Sequence, residues 1–143
     1  MTAALAGLTW SVLVPHHARG ARLARRQLTA MLAGRIDAGL LADVMTVVAE
    51  LVGNAVRHAR PLPDGMIRVT CQLVPLPAGS GTVRLRVTDG GSVLRPQQRR
   101  TTPESLNGRG LGIVAVLCQR WGVADTGSGR SVWAELGAPQ GPG

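Results

Sequence analysis

The sequence contains no lysine: all sixteen basic residues are arginine. A P-loop lysine, a Schiff-base lysine and the strand lysine of the protein kinases are therefore all excluded. Phenylalanine and tyrosine are absent too, and three tryptophans make up the whole 2% aromatic content, too little for a platform on which unpaired bases stack. Cysteine is scarce. Cys71 and Cys118 lie in apolar segments without close Cys or His neighbours, which argues against zinc or redox motifs and for reduced core thiols. Long hydrophobic runs are missing as well: Leu111–Cys118 is far shorter than the ~20 residues of a membrane span, and no charged leader precedes an apolar core at Met1. The expectation is a cytoplasmic protein with no membrane association. The formal charge of +8 permits acidic partners, but the arginines are dispersed and no DNA-reading motif is present, so no direct nucleic-acid contact is expected.

What is present suits one domain over residues 8–137, with residues 1–7 and 138–143 as flexible tails; 45% hydrophobic content in 143 residues supplies one ordinary core. Thr9–Val14 reads as an edge strand closed by Pro15. His17–Ala33, where Ala18, Ala21, Leu23, Leu28, Met31 and Leu32 interleave with arginine, reads as an amphipathic helix stopped by Gly34. A second helix is expected over Leu40–Ala59, apolar on several sides and hence buried. Met66–Val74 and Thr82–Thr88 alternate branched apolar with polar residues around a Pro/Gly/Ser connector, the pattern of an antiparallel hairpin. Gly90–Asn107 reads as a long loop, Leu111–Trp121 as a helix, and Ser131–Leu136 as a last strand reached through a turn at Gly127–Arg130. The predicted fold class is α/β: a two-layer sandwich, with a mostly antiparallel mixed sheet and about three helices on one face.

Three constellations carry polar chemistry. On the second helix, Glu50, Asn54 and His58 recur every four residues, about 40° apart around the axis, and form one polar stripe on an otherwise apolar element. A carboxylate and an amide in that setting require partners, whether an internal hydrogen-bond network, solvent or a ligand. The second is Asp89-Gly90-Gly91 at the end of an apolar strand, which suits either an ordinary turn or a close backbone approach to a ligand. The third is Gly108-Arg109-Gly110-Leu111-Gly112 ahead of an apolar helix, where small residues let backbone N–H groups converge on phosphate oxygens. No apolar strand directly precedes that turn and its glycine spacing is not G-x-G-x-x-G, so a dinucleotide-binding reading fails its context test.

In this order and on these elements, the three resemble the N, G1 and G2 boxes of the GHKL (Bergerat-fold) ATPases, and the resemblance covers roughly Thr9–Leu136. The run Ala49-Glu50-Leu51-Val52-Gly53-Asn54-Ala55-Val56-Arg57-His58-Ala59, the glycine turn and Ser131-Val132-Trp133-Ala134-Glu135-Leu136 are most similar to the actinobacterial anti-sigma-factor serine kinases. By that resemblance ATP and Mg²⁺ are the cofactors. Asn54 would hold Mg²⁺ and Glu50 would act as general base, one helical turn away. Asp89 would read adenine, with Gly91 giving the base room and Ser131 touching it through water. Gly108, Arg109, Gly110, Leu111 and Gly112 would cradle phosphates and Val93–Asn107 would form the lid. His58 matches the pattern in type, as ligand contact or helix cap. The sequence departs from the wider superfamily at Val93, where a third G1 glycine often stands.

The resemblance implies an ATP-binding regulator that transfers the γ-phosphate to a serine of an anti-anti-sigma (STAS-type) partner and also binds a sigma factor. A homodimer is expected, with the Thr9–Val14 edge and the Arg-rich first helix as surface. The alternative is a non-catalytic module in which ATP orders the lid and a partner surface.

Overall fold

In a computed structural model, residues 7–75, 81–91, 111–127 and 129–137 are described. Strand β1 (Leu8–Pro15) leads into helices α1 (Arg19–Leu32) and α2 (Ala38–His58), then into the hairpin of β2 (Met66–Pro75) and β3 (Gly81–Asp89). A short helix α3 (Gly112–Leu117) follows, and β4 (Arg120–Thr126) and β5 (Gly129–Gly137) end the described chain. The expected lid, Val93–Asn107, and the glycine turn from Gly108 to Gly110 lie outside the described residues.

The strands form one sheet in the order β1-β2-β3-β5-β4, and every neighbouring pair is antiparallel. The sheet is the mostly antiparallel one expected, and among the described residues no two of its strands pair in parallel. Strict alternation divides the sheet into two faces. Ile67, Val69, Cys71 and Leu73 of β2, Val83, Leu85 and Val87 of β3, and Val132, Ala134 and Leu136 of β5 are buried in the core. Their neighbours Arg68, Arg84 and Arg86 point the other way and are exposed.

The helices cover the apolar face. On α1 the buried positions are Gly20, Ala24, Leu28 and Leu32, a narrow stripe repeating every four residues. Gly20 permits the close approach to β1, because a Cβ there would stand 2.4 Å from the Pro15 carbonyl oxygen. Gly34 ends the helix in the left-handed conformation, with φ of 83°. On α2, Asp37 caps the N-terminus by accepting the Leu40 N–H at 2.8 Å. Among the described helices α2 is the one long and apolar enough to cross a membrane by length and composition, and its Val44, Val47, Val48, Leu51 and Val52 pack into the core. Burial pushes both thiols, Cys71 and Cys118, up to about 12, which keeps them neutral and unreactive.

One expected element is wrong. The helix predicted over Leu111–Trp121 stops at Leu117, and Arg120–Thr126 is a strand. Trp121 and Val123 turn toward the core while Gly122 faces the open side, where the Trp133 ring lies across it. A Cβ on Gly122 would meet that ring at 2.8 Å, so a residue with poor strand propensity stands there because the indole needs the space.

Candidate nucleotide site

Asn54 and Glu50 come from the centre of α2. Asn54 is 3% exposed, and its Oδ1 is buried with no hydrogen-bond partner. Glu50 and His58, one turn to either side, are half-buried. A buried amide oxygen without a partner forfeits a hydrogen bond, a loss that a cation or another donor recovers. Among the described residues no group of three His, Cys, Asp or Glu side chains is placed to cage a metal. That donor set suits Mg²⁺: a hard ion that keeps several waters and takes phosphate oxygens needs only one or two protein oxygens.

Asp89 is delivered by the last position of β3 on the helix-covered face, and is 1% exposed. Its Oδ1 accepts the Gly91 N–H at 2.7 Å. Burial pushes its carboxyl above the usual carboxylate range; the Gly91 N–H, the Arg130 guanidinium and His16 oppose that shift, and Asp125 adds to it. The strand end is tied by backbone to the segment just after α2: Arg60 N–H donates to the Gly91 carbonyl at 2.9 Å, and Gly90 N–H to the Arg60 carbonyl at 2.7 Å. The two glycines serve different purposes. Gly90 is required by its neighbours, since a Cβ there would stand 2.0 Å from the Pro61 carbonyl oxygen. Gly91 is required by its backbone, with φ of 100°.

Two further residues belong to this end of the molecule, although neither stood out in the sequence. His16 Nε2 lies 2.8 Å from the Ala59 carbonyl and 3.2 Å from that of Ala55; because carbonyls only accept, this nitrogen carries the hydrogen and donates to the last turn of α2. Arg130 pairs with Asp89 across the β3–β5 register, with Nη2 3.9 Å from Asp89 Oδ2. The signal for Arg130 was available in the alternation of β5: if Val132, Ala134 and Leu136 face the helices, so does Arg130.

Ser131 does not join this group. It faces the open side of the sheet, where its hydroxyl shares a hydrogen bond with Thr88 Oγ1 at 2.8 Å. Leu111 is wholly buried in the core beside Val114, so its side chain packs and only its backbone remains for a phosphate. Gly112 is the first residue of α3, and Gly108, Arg109 and Gly110 lie outside the described residues. The structure therefore joins Asp89 and Gly91 to the segment that follows α2, through Arg60, and sets Arg130 beside Asp89.

Comparison with known proteins bears on the fold and the family. The chain is similar in structure to the RsbU and RsbW domains of Rv1364c from Mycobacterium tuberculosis, with a TM-score of 0.66 and 23% identity over 92% of this chain. This chain spans 33% of that one, and at such identity the likeness speaks for the fold. No curated protein matches the chain closely enough to be compared with it. Residues 14–136 match the family model for the histidine kinase-like ATPase domain, a span that runs from the end of β1 to β5 and includes every element of the site. The chain belongs to the histidine kinase-like ATPase domain family and is an ATP-binding protein of the GHKL fold.

Proposed function

We propose that the chain is a Mg-ATP-dependent serine kinase of the anti-sigma-factor type, which phosphorylates a serine on a STAS-type anti-anti-sigma partner and binds a sigma factor. The observation that carries this reading is the α2 stripe: a half-buried carboxylate, Glu50, one turn from Asn54, whose buried Oδ1 has no partner. When bound, Mg²⁺ supplies charge neutralisation at the phosphate oxygens, and Asn54 is the residue that would hold it. Asp89 accepts the exocyclic amine of adenine and Gly91 leaves room for the ring. Glu50 takes the proton from the partner's serine hydroxyl as that oxygen bonds to the γ-phosphorus. The bond to the β-phosphate oxygen breaks with its electron pair and ADP leaves. Such positioned proton transfer contributes about 10²–10⁴-fold to rate. The glycine turn from Gly108 to Gly112 cradles the phosphates in this reading. Cytoplasmic location and a homodimer complete the proposal.

The test is transfer of labelled γ-phosphate from Mg-ATP to purified STAS-domain proteins, with ATP binding measured in parallel. Glu50→Ala is expected to lower transfer about 10²–10⁴-fold while leaving ATP affinity within a few-fold. Unchanged transfer in that variant would remove Glu50 from the chemistry. A raised melting temperature with ATP, but no transfer to any partner, would favour the non-catalytic binding module.

A further inference from the structure

The proposed chemistry gives Arg130 no task. Its side chain is 5% exposed, yet its Nε is buried without a hydrogen-bond partner. Burying a guanidinium while leaving one donor unmatched is costly, because the protein returns less than the water it displaced. The neighbouring carboxylate does not make good the loss: Nη2 stands 3.9 Å from Asp89 Oδ2, beyond hydrogen-bond distance, and Asp89 Oδ1 is already engaged by Gly91. The outcome is an acceptor and a donor side by side at the same end of the sheet, Asp89 Oδ2 and the Arg130 guanidinium, with the guanidinium's Nε–H left unmatched.

Gly91 and Gly129 flank the pair, and a Cβ built on Gly91 would meet nothing nearer than the Gly129 Cα at 4.0 Å. Across the β3–β5 register, Gly129 also comes so close to the Asp89 carbonyl that a Cβ would stand 2.3 Å from it, so no side chain can be placed at that position. A planar ligand edge that presents a donor next to an acceptor fits such a corner. Adenine has that edge: the exocyclic amine lies between ring nitrogens N1 and N7, both acceptors.

We infer that Arg130 is a second base-reading residue, donating to a purine ring nitrogen, N1 or N7, next to the amine that Asp89 accepts. The inference rests on the assignment of Asp89 to the adenine site and deepens it. A guanidinium has donors only, whereas a hydroxyl at the same position would serve as donor or acceptor. Arg130 therefore makes the site dependent on an acceptor in the ring itself, besides the amine.

The experiment is calorimetric titration of the full chain with ADP, 1-deaza-ADP and 7-deaza-ADP, for the unaltered protein, Arg130→Met and Asp89→Asn. The unaltered protein is expected to bind one of the two deaza analogues roughly ten- to a hundredfold more weakly than ADP, the value of a hydrogen bond from a charged donor. Arg130→Met should weaken ADP by a similar factor and bind that analogue and ADP alike, a loss of discrimination that a purely structural role would not produce. Because the variant leaves Asp89 without its counter-charge and can fail to fold, the Arg130 Nε–H resonance of the unaltered protein supplies the second measurement. It should shift with ADP and stay in place with the discriminated analogue. Equal binding of all three ligands by the unaltered protein, retained discrimination in Arg130→Met, or an unmoved Nε–H resonance would each overturn the inference. If Asp89→Asn weakens ADP while Arg130 passes none of these tests, only this inference fails; if the unaltered protein binds no ADP, the site assignment fails with it.

Discussion

The two faces of the sheet are built from the same strands and have opposite chemistry. On the helix-covered face, β3 presents Val83, Leu85, Val87 and finally Asp89, all buried. On the open face its alternate residues Arg84 and Arg86 are exposed, and Thr88 pairs with Ser131. Charges on the open face meet in water: Glu135 bridges Arg84 at 3.1 Å and Arg120 at 3.0 Å, with the two arginine side chains 50% and 68% exposed. Among the described residues the covered face holds one charged pair, Asp89 and Arg130, and almost no water reaches either side chain. An effective dielectric far below that of water makes a carboxylate on the covered face a strong and selective partner for a ligand, whereas the same group on the open face would be screened. The site occupies the end of the covered face, where the apolar ladder runs out and side chains become polar without becoming exposed.

The covered face should break first. Leu51→Ala, in the centre of α2 beneath the sheet, is expected to cost about 2–5 kcal/mol in a urea titration. Asp89→Asn ranks next, weakening ADP by roughly ten- to a hundredfold in calorimetry, because a charged acceptor becomes a neutral amide with a fixed orientation. Its pH dependence sharpens the point. The folded protein holds the Asp89 proton to higher pH than the unfolded chain does, so this group's contribution to stability falls as pH rises from the ordinary carboxylate range through the raised value. If Asp89 reads adenine as proposed, nucleotide binding needs the anion and runs the other way, weakening as pH drops through the same window. Arg130, His16, the Gly91 N–H and Asp125 all face Asp89 and set the width of that window. The difference between the unaltered protein and Asp89→Asn, measured from pH 4 to 7 on the same ligand, isolates Asp89; equal pH slopes in the two proteins would contradict the shift.

How far the sequence discloses this division depends on how strongly each element is patterned. β1, both long helices and the β2–β3 hairpin carry clear periodicity and were predicted within a few residues of their observed ends. β4 was not, because Trp121 extends the apolar pattern of Leu111–Leu117 and Gly122 weakens the strand signal. Only the tertiary contact with Trp133 explains that glycine. Gly122→Val, whose side chain would collide with the indole, is expected to cost about 1–3 kcal/mol by thermal melting, although valine is the better strand former. A neutral or stabilising result would mean that the indole can move aside. At the proposed site, Glu50, Asn54 and Asp89 stand out in the sequence because their spacing and order are informative in one dimension. Arg130 and Ser131 were not told apart because neighbouring residues in a strand point to opposite faces, so a one-residue error in assignment moves a group across the whole sheet. The resemblance pointed to Ser131, while the alternation of Val132, Ala134 and Leu136 points to Arg130.

The smallest effects belong to the open face, where they test whether its charges matter at all. Glu135→Gln removes the acid shared by Arg84 and Arg120, yet water reaches both arginines and Glu135 itself is 14% exposed. Exposed pairs of this kind contribute roughly 0–1 kcal/mol, and salt screens them over about 10 Å at 0.1 M. The unaltered protein and Glu135→Gln should therefore differ by less than ~1 kcal/mol in dilute buffer and converge as NaCl approaches 1 M. Ser131→Ala, on the same face, should leave ADP affinity unchanged, since its hydroxyl partner is Thr88 and the sheet separates it from Asp89. A loss of ADP affinity in Ser131→Ala comparable to that of Asp89→Asn would place the base against the open face and reverse the comparison of the two sides.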